Sequence, residues 1–196
     1  MRAALVVSLS ILVVACGPTF APAAVISPGS SPGSVASAPR IQPAPVTPPT
    51  PPGTNLPAFA CSDASGGKTG VAGAVTARVS EQVGYDRFVL QFDSTVPSWT
   101  AKRQAKPVFP MGATGQTVTL SGTYGVLVDI QSATGANTFV GSTDLLHGEY
   151  LVLKEARQTQ DFEGHLSWGI GLDHPACMRA FTLADPARLV VDFSTT

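Results

Sequence analysis

Asp161 and Glu163 stand two residues apart, a spacing at which two carboxylates on one strand share a face and could act as acid and base on a glycosidic bond. The pair runs directly into Gly164, a turn residue, so exposed loop carboxylates are the commoner explanation. His147, His165 and His174 do not form the HExxH spacing of a zinc site, and no metal is expected. An α/β hydrolase would show a GxSxG elbow between a strand and a helix, and no run of that spacing stands in such a place. The Gly169-x-Gly171 spacing is not followed by a helical pattern, so it does not read as a phosphate loop. On a strand, such glycines admit a bulky neighbour or another backbone. That leaves Trp99, with Lys102 and Arg103 close behind, as the candidate ligand contact. An exposed indole beside cations can stack on a sugar ring while the cations receive a carboxylate. The chemistry on offer is binding. Neither catalytic residues nor a cofactor are expected.

The three cysteines divide by position. Cys16 closes an N-terminal segment with one basic residue, Arg2, and an apolar run from Ala3 to Val14. A secretory signal has this form, with small residues at the cut. Val13-Val14-Ala15-Cys16 also resembles the lipobox of bacterial lipoproteins, which implies diacylglycerol on the Cys16 sulfur, cleavage before Cys16 and further acylation with a chain such as palmitate. The run is shorter than the roughly 20 apolar residues of a spanning helix, whereas two acyl chains hold a protein stably to a bilayer. Cys61 and Cys177 then remain as one pair, expected to bridge in an oxidising compartment.

Composition sets three regions: a signal peptide over 1–15, a lipidated cysteine with a disordered Pro/Ala/Ser-rich tether over 16–58, and a folded domain over 59–196. From Gly17 to Pro57 there are twelve prolines, one charge (Arg40) and one aromatic (Phe20). Such a segment favours polyproline II and has no periodic apolar face. All thirteen acidic residues and ten of the twelve Lys and Arg lie in the domain, which leaves it near −3. No basic stripe interleaved with aromatics is present, so nucleic acid is not an expected partner.

Period-2 alternation marks the strands that must position any site. Phe88, Leu90 and Phe92 alternate with Arg87, Gln91 and Asp93. Further apolar rows are Tyr124–Val126–Val128–Ile130, Leu166–Trp168–Ile170–Leu172 and Leu189–Val191–Phe193. Strands are also predicted over 75–79, 117–120, 150–155 and 178–183. The one helical candidate is a turn capped by Ser142 and running to Leu146. About eight short strands without a long amphipathic helix predict an all-β sandwich.

Several of these strands carry a combined signature. Gly84-Tyr85-Asp86-Arg87-Phe88-Val89-Leu90-Gln91-Phe92 and Pro97-Ser98-Trp99 come first. Asp161-Phe162-Glu163-Gly164 and Trp168-Gly169-Ile170-Gly171-Leu172 follow, and Asp185-Pro186-Ala187-Arg188-Leu189-Val190-Val191-Asp192 closes the chain. Together they resemble the AMIN-like domain of bacterial envelope lipoproteins, over about residues 68–195. Cys177-Met178-Arg179-Ala180-Phe181 departs from the basic residue and valine that members often carry there. The resemblance implies a non-enzymatic β-sandwich in the cell envelope, with peptidoglycan as the usual proposed ligand. Asp86 with Arg87 and Arg188 with Asp192 are read as structural charge pairs, alongside Trp168 and Pro186. The expected protein is a lipid-anchored binding module on the extracytoplasmic face of the cell membrane, contacting peptidoglycan or another wall glycan. An envelope protein as partner is the alternative, and a wall hydrolase using Asp161 or Glu163 the third reading.

Overall fold

The computed structural model describes residues 55–196. Cys16, the apolar run before it and nearly all of the Pro-rich segment lie outside the described residues. In chain order the strands are β1 (Ala64–Gly66), β2 (Ala72–Gln82), β3 (Tyr85–Phe92) and β4 (Trp99–Gln104). Then come β5 (Val108–Met111) and β6 (Gln116–Thr119), joined across a single 3-10 turn. After them run β7 (Tyr124–Gln131), β8 (Ala133–Thr134), β9 (Asp144–Leu146) and β10 (Leu153–Phe162). The last are β11 (His165–Leu172), β12 (Met178–Leu183) and β13 (Arg188–Ser194).

Two sheets form the sandwich. Sheet A has the order β12-β13-β3-β2-β8 and sheet B the order β1-β4-β7-β11-β10-β9. All neighbours are antiparallel except the short β2–β8 pair. Each sheet turns one alternate set of side chains inward. Phe88, Leu90 and Phe92 with Leu189, Val191 and Phe193 come from sheet A. They meet Val126, Val128 and Ile130 with Leu166, Trp168 and Ile170 from sheet B. The rings of Phe88 and Trp168 touch across the interface with centroids 5.5 Å apart.

All eight strands expected from alternation are present, and the all-β sandwich holds. Two local expectations change. The Ser142–Leu146 turn of helix is instead a bend into strand β9, which pairs with β10 through Leu146 and Glu155. Ser142 does cap something: its Oγ accepts the Asp144 N–H at 3.1 Å, a side-chain turn two residues long. The strand expected over 150–155 starts only at Leu153 and runs on to Phe162. Glu163 and Gly164, at φ 50° and 78°, then turn the chain into β11. Positive φ at both central residues is what a type I′ hairpin needs.

The paired glycines of β11 answer to a third layer. The β5–β6 hairpin lies on the outer face of sheet B and presses Phe109 onto it, fully buried. A Cβ at Gly169 would stand 2.5 Å from the Phe109 ring, and one at Gly125 on β7 would stand 2.7 Å from it. Overpacking of this kind costs about 1–3 kcal/mol. Gly169→Ala is therefore expected to lower stability by about 2 kcal/mol in urea denaturation. An unchanged midpoint would mean that the hairpin moves aside freely.

Candidate functional site

Sheet alternation and hairpin register decide which charges meet. Strand β3 puts Asp86 on its inner face and Arg87 on its outer face, so the two sequence neighbours do not pair. Inside, the fully buried Asp86 accepts the N–H groups of Val152 and Leu153 at 2.7 and 2.9 Å. Those bonds to a carboxylate tie the start of β10 in sheet B to β3 in sheet A. Outside, Arg87 lies opposite Asp192 of β13, and Arg179 of β12 lies opposite Asp192 from the other side. Asp192 is wholly buried between them. Its Oδ1 accepts from Arg87 Nε at 2.6 Å, and its Oδ2 from Arg87 Nη2 at 2.9 Å and Arg179 Nε at 2.7 Å. The bond to Asp192 raises the Arg87 guanidinium above its ordinary value.

Arg188 takes no part. It is four residues from Asp192 along one strand, too far to reach it, and its Nε donates to the Pro186 carbonyl at 3.1 Å. Asp185-Pro186 is a cis peptide in the loop between β12 and β13. The expected pairs, Asp86 with Arg87 and Arg188 with Asp192, are thus replaced by a cross-strand Arg87–Asp192–Arg179 triad. Sequence reading missed Arg179, yet the signal was present. The turn Ala184-Asp185-Pro186-Ala187 joins neighbouring strands, and a four-residue loop there sets Arg179 opposite Asp192.

Aromatic rings surround the triad. The Arg179 guanidinium lies 4.5 Å from the Phe59 ring and 4.8 Å from Tyr85, and that of Arg87 lies 5.2 Å from Tyr85 and 5.8 Å from Phe181. Each cation–π contact is worth about 0.5–1 kcal/mol where solvent reaches it. Phe59 is held there by a bridge between Ala60 and Met178 and by the Cys61–Cys177 disulfide. Two guanidiniums face one carboxylate, so the patch carries a net positive charge with the remaining Nη groups of Arg179 uncommitted to Asp192.

The residues expected to contact ligand are scattered. Trp99 is only 4% exposed: β4 pairs with β7, Trp99 opposite Ile130, and the indole enters the core and covers Gly66. The indole read as a candidate ligand contact is therefore a core side chain. Lys102 falls on the opposite face of β4 and is exposed. Arg103 donates from Nη1 to the Cys61 carbonyl at 2.7 Å, and its own N–H bonds Asp63. Asp161 accepts from the Gly135 N–H at 2.9 Å, while Glu163 sits at the hairpin tip, so the two carboxylates do not converge on one point.

At another edge, the Glu149 carboxyl is held below its usual range by a hydrogen bond with His147, and burial raises the Tyr150 hydroxyl. The His147 and Tyr150 rings stack at 4.6 Å.

The model of the AMIN-like domain family matches residues 72–195, from the start of β2 to the end of β13. The chain belongs to that family. The matched span takes in all of sheet A, every strand of sheet B except β1, and every member of the Arg87–Asp192–Arg179 triad. Phe59 and Cys61, which complete the patch, precede it. No curated protein matches the chain. AMIN-like domains are binding modules of the cell envelope, and that coarse role comes with membership.

Proposed function

We propose that this AMIN-like protein is a lipid-anchored wall-binding module whose sheet A outer face contacts peptidoglycan. The observation that carries the reading is the Arg87–Arg179 pair set among Phe59, Tyr85 and Phe181. Uncommitted guanidinium N–H groups suit the carboxylates of a peptide stem, and flat rings beside them suit the apolar faces of sugars. The lipobox-like run supports acylation of Cys16 and attachment on the extracytoplasmic face, with residues 17–58 as the spacer. The family's envelope role supports the same placement. Lys102, exposed on the opposite sheet, and Arg103 serve as secondary cationic contacts.

The test is fractionation of the exported full chain followed by co-sedimentation with purified peptidoglycan. Wild-type protein is expected in the membrane fraction and in the peptidoglycan pellet. Cys16→Ser is expected to leave the membrane while still pelleting. Arg179→Gln with Phe181→Ala keeps the Arg87–Asp192 bond and is expected to reduce retention about tenfold, the loss of one charge-assisted bond. Equal retention of that variant at low salt would overturn the assignment of the face.

A second reading rests on the edge of sheet A. Among the described residues, strand β12 has no partner on its outer side beyond the Ala60–Met178 bridge. A partner strand could add there. Co-purification of an envelope protein without peptidoglycan retention would favour it.

A further inference from the structure

The outer face of sheet B holds a cavity of about 290 Å³ that the wall-binding face does not use. Its floor is a polar row crossing three strands: Asp129 on β7, Ser167 on β11 and Gln160 on β10 are successive register partners. Leu127 supplies an apolar strip beside the row, and Pro110 of the β5–β6 hairpin closes one side. Asp129 is pre-oriented, accepting from Ser167 Oγ at 2.8 Å and from Gln131 Nε2 at 2.6 Å. Strand β10 carries a bulge between Gln158 and Gln160, which inserts Thr159 into the cavity wall. The Thr159 hydroxyl is buried beneath that wall, with no hydrogen-bond partner among the described residues. At the open end stands His165, and its register partner Phe162 is 51% exposed on the same face.

A fixed carboxylate and a neighbouring amide offer acceptors and a donor to adjacent hydroxyl groups. The cavity is at the lower end of ligand-pocket sizes, room for one ring. A lone carboxylate does not match an anionic ligand. The exposed Phe162 ring offers a stacking surface to an apolar sugar face. From this combination we infer a second binding site in which Asp129 and Gln160 grip vicinal hydroxyls of a neutral saccharide, with Phe162 against its ring. It rests on the wall-binding reading and adds to it a saccharide site on sheet B, apart from the stem-peptide and sugar contacts of sheet A.

The experiment is a ¹H–¹⁵N NMR titration of the full chain in its Cys16→Ser form with two probes, the β-1,4-linked N-acetylglucosamine tetramer and cellotetraose. Shifts are expected to concentrate on the amides of Leu127, Asp129, Gln160, His165 and Ser167. Binding of the acetylated tetramer alone points to amino-sugar glycan, and equal binding of both points to other envelope polysaccharide. Gln160→Ala, at a partly exposed position beside the β10 bulge, is expected to weaken binding about tenfold, as is Asp129→Asn. Arg179→Gln is expected to leave this titration unchanged, so a failure of peptidoglycan retention and a failure of this site are separately visible. An absence of shifts at millimolar sugar, shifts confined to sheet A, or undiminished binding by Gln160→Ala would overturn the site.

Discussion

Asp192→Ala is expected to lower the stability of the domain by about 3–5 kcal/mol, the range for removing one partner of a buried ionic cluster. Asp192 is fully buried, while its arginines keep side-chain exposures of 24% and 13%. Without the carboxylate, the guanidiniums of Arg179 on β12 and Arg87 on β3 face each other across β13. They repel, and they lose the three hydrogen bonds that held their geometry. Water reaches the arginines in part, which places the expected loss at the lower end of that range. Arg179→Gln leaves the bidentate Arg87–Asp192 bond in place and is expected to cost about 1–2 kcal/mol. Urea denaturation of the two variants checks this ordering. A loss for Asp192→Ala no larger than for Arg179→Gln would show that the carboxylate does not organise the face.

The second large effect concerns Cys61 and Cys177, which join with Cα atoms 4.2 Å apart across a sequence separation of 116. Closing a loop of that length removes about 4–5 kcal/mol of unfolded-state entropy in the chain-entropy model. The Cys61→Ser, Cys177→Ser double variant is therefore expected to unfold at markedly lower urea than the oxidised protein. The loss has a local counterpart. Phe59 reaches Arg179 only because Cys61 and Ala60 are fastened to β12. Untying them is expected to weaken peptidoglycan retention before the domain unfolds. A stability difference below about 1 kcal/mol would mean that the unfolded chain is already compact enough for the link to add little.

Alternation made the fold legible. Rows such as Phe88–Leu90–Phe92 and Leu166–Trp168–Ile170 report a buried face with no knowledge of the partner strand, because side chains on a strand alternate strictly. Strand β4 stayed hidden for the same reason. Trp-Thr-Ala-Lys-Arg-Gln offers only Trp99 and Ala101 to the core, too short a row for alternation to report. β9 was hidden by its length of three residues, which only pairing with β10 stabilises. Trp99 looked like a surface ring because its neighbours are cationic, yet adjacent strand residues point to opposite faces.

By itself, the sequence determined the all-β class, the pairing of the two domain cysteines and the AMIN-like signature. These depend on composition and on local period, which a chain carries without being folded. Which charges meet was decided only by tertiary structure. Asp192 lies 105 residues from Arg87, and their contact exists because β3 and β13 pair in one register. A shift by one residue would turn Asp192 into the core and disperse the aromatic–arginine patch.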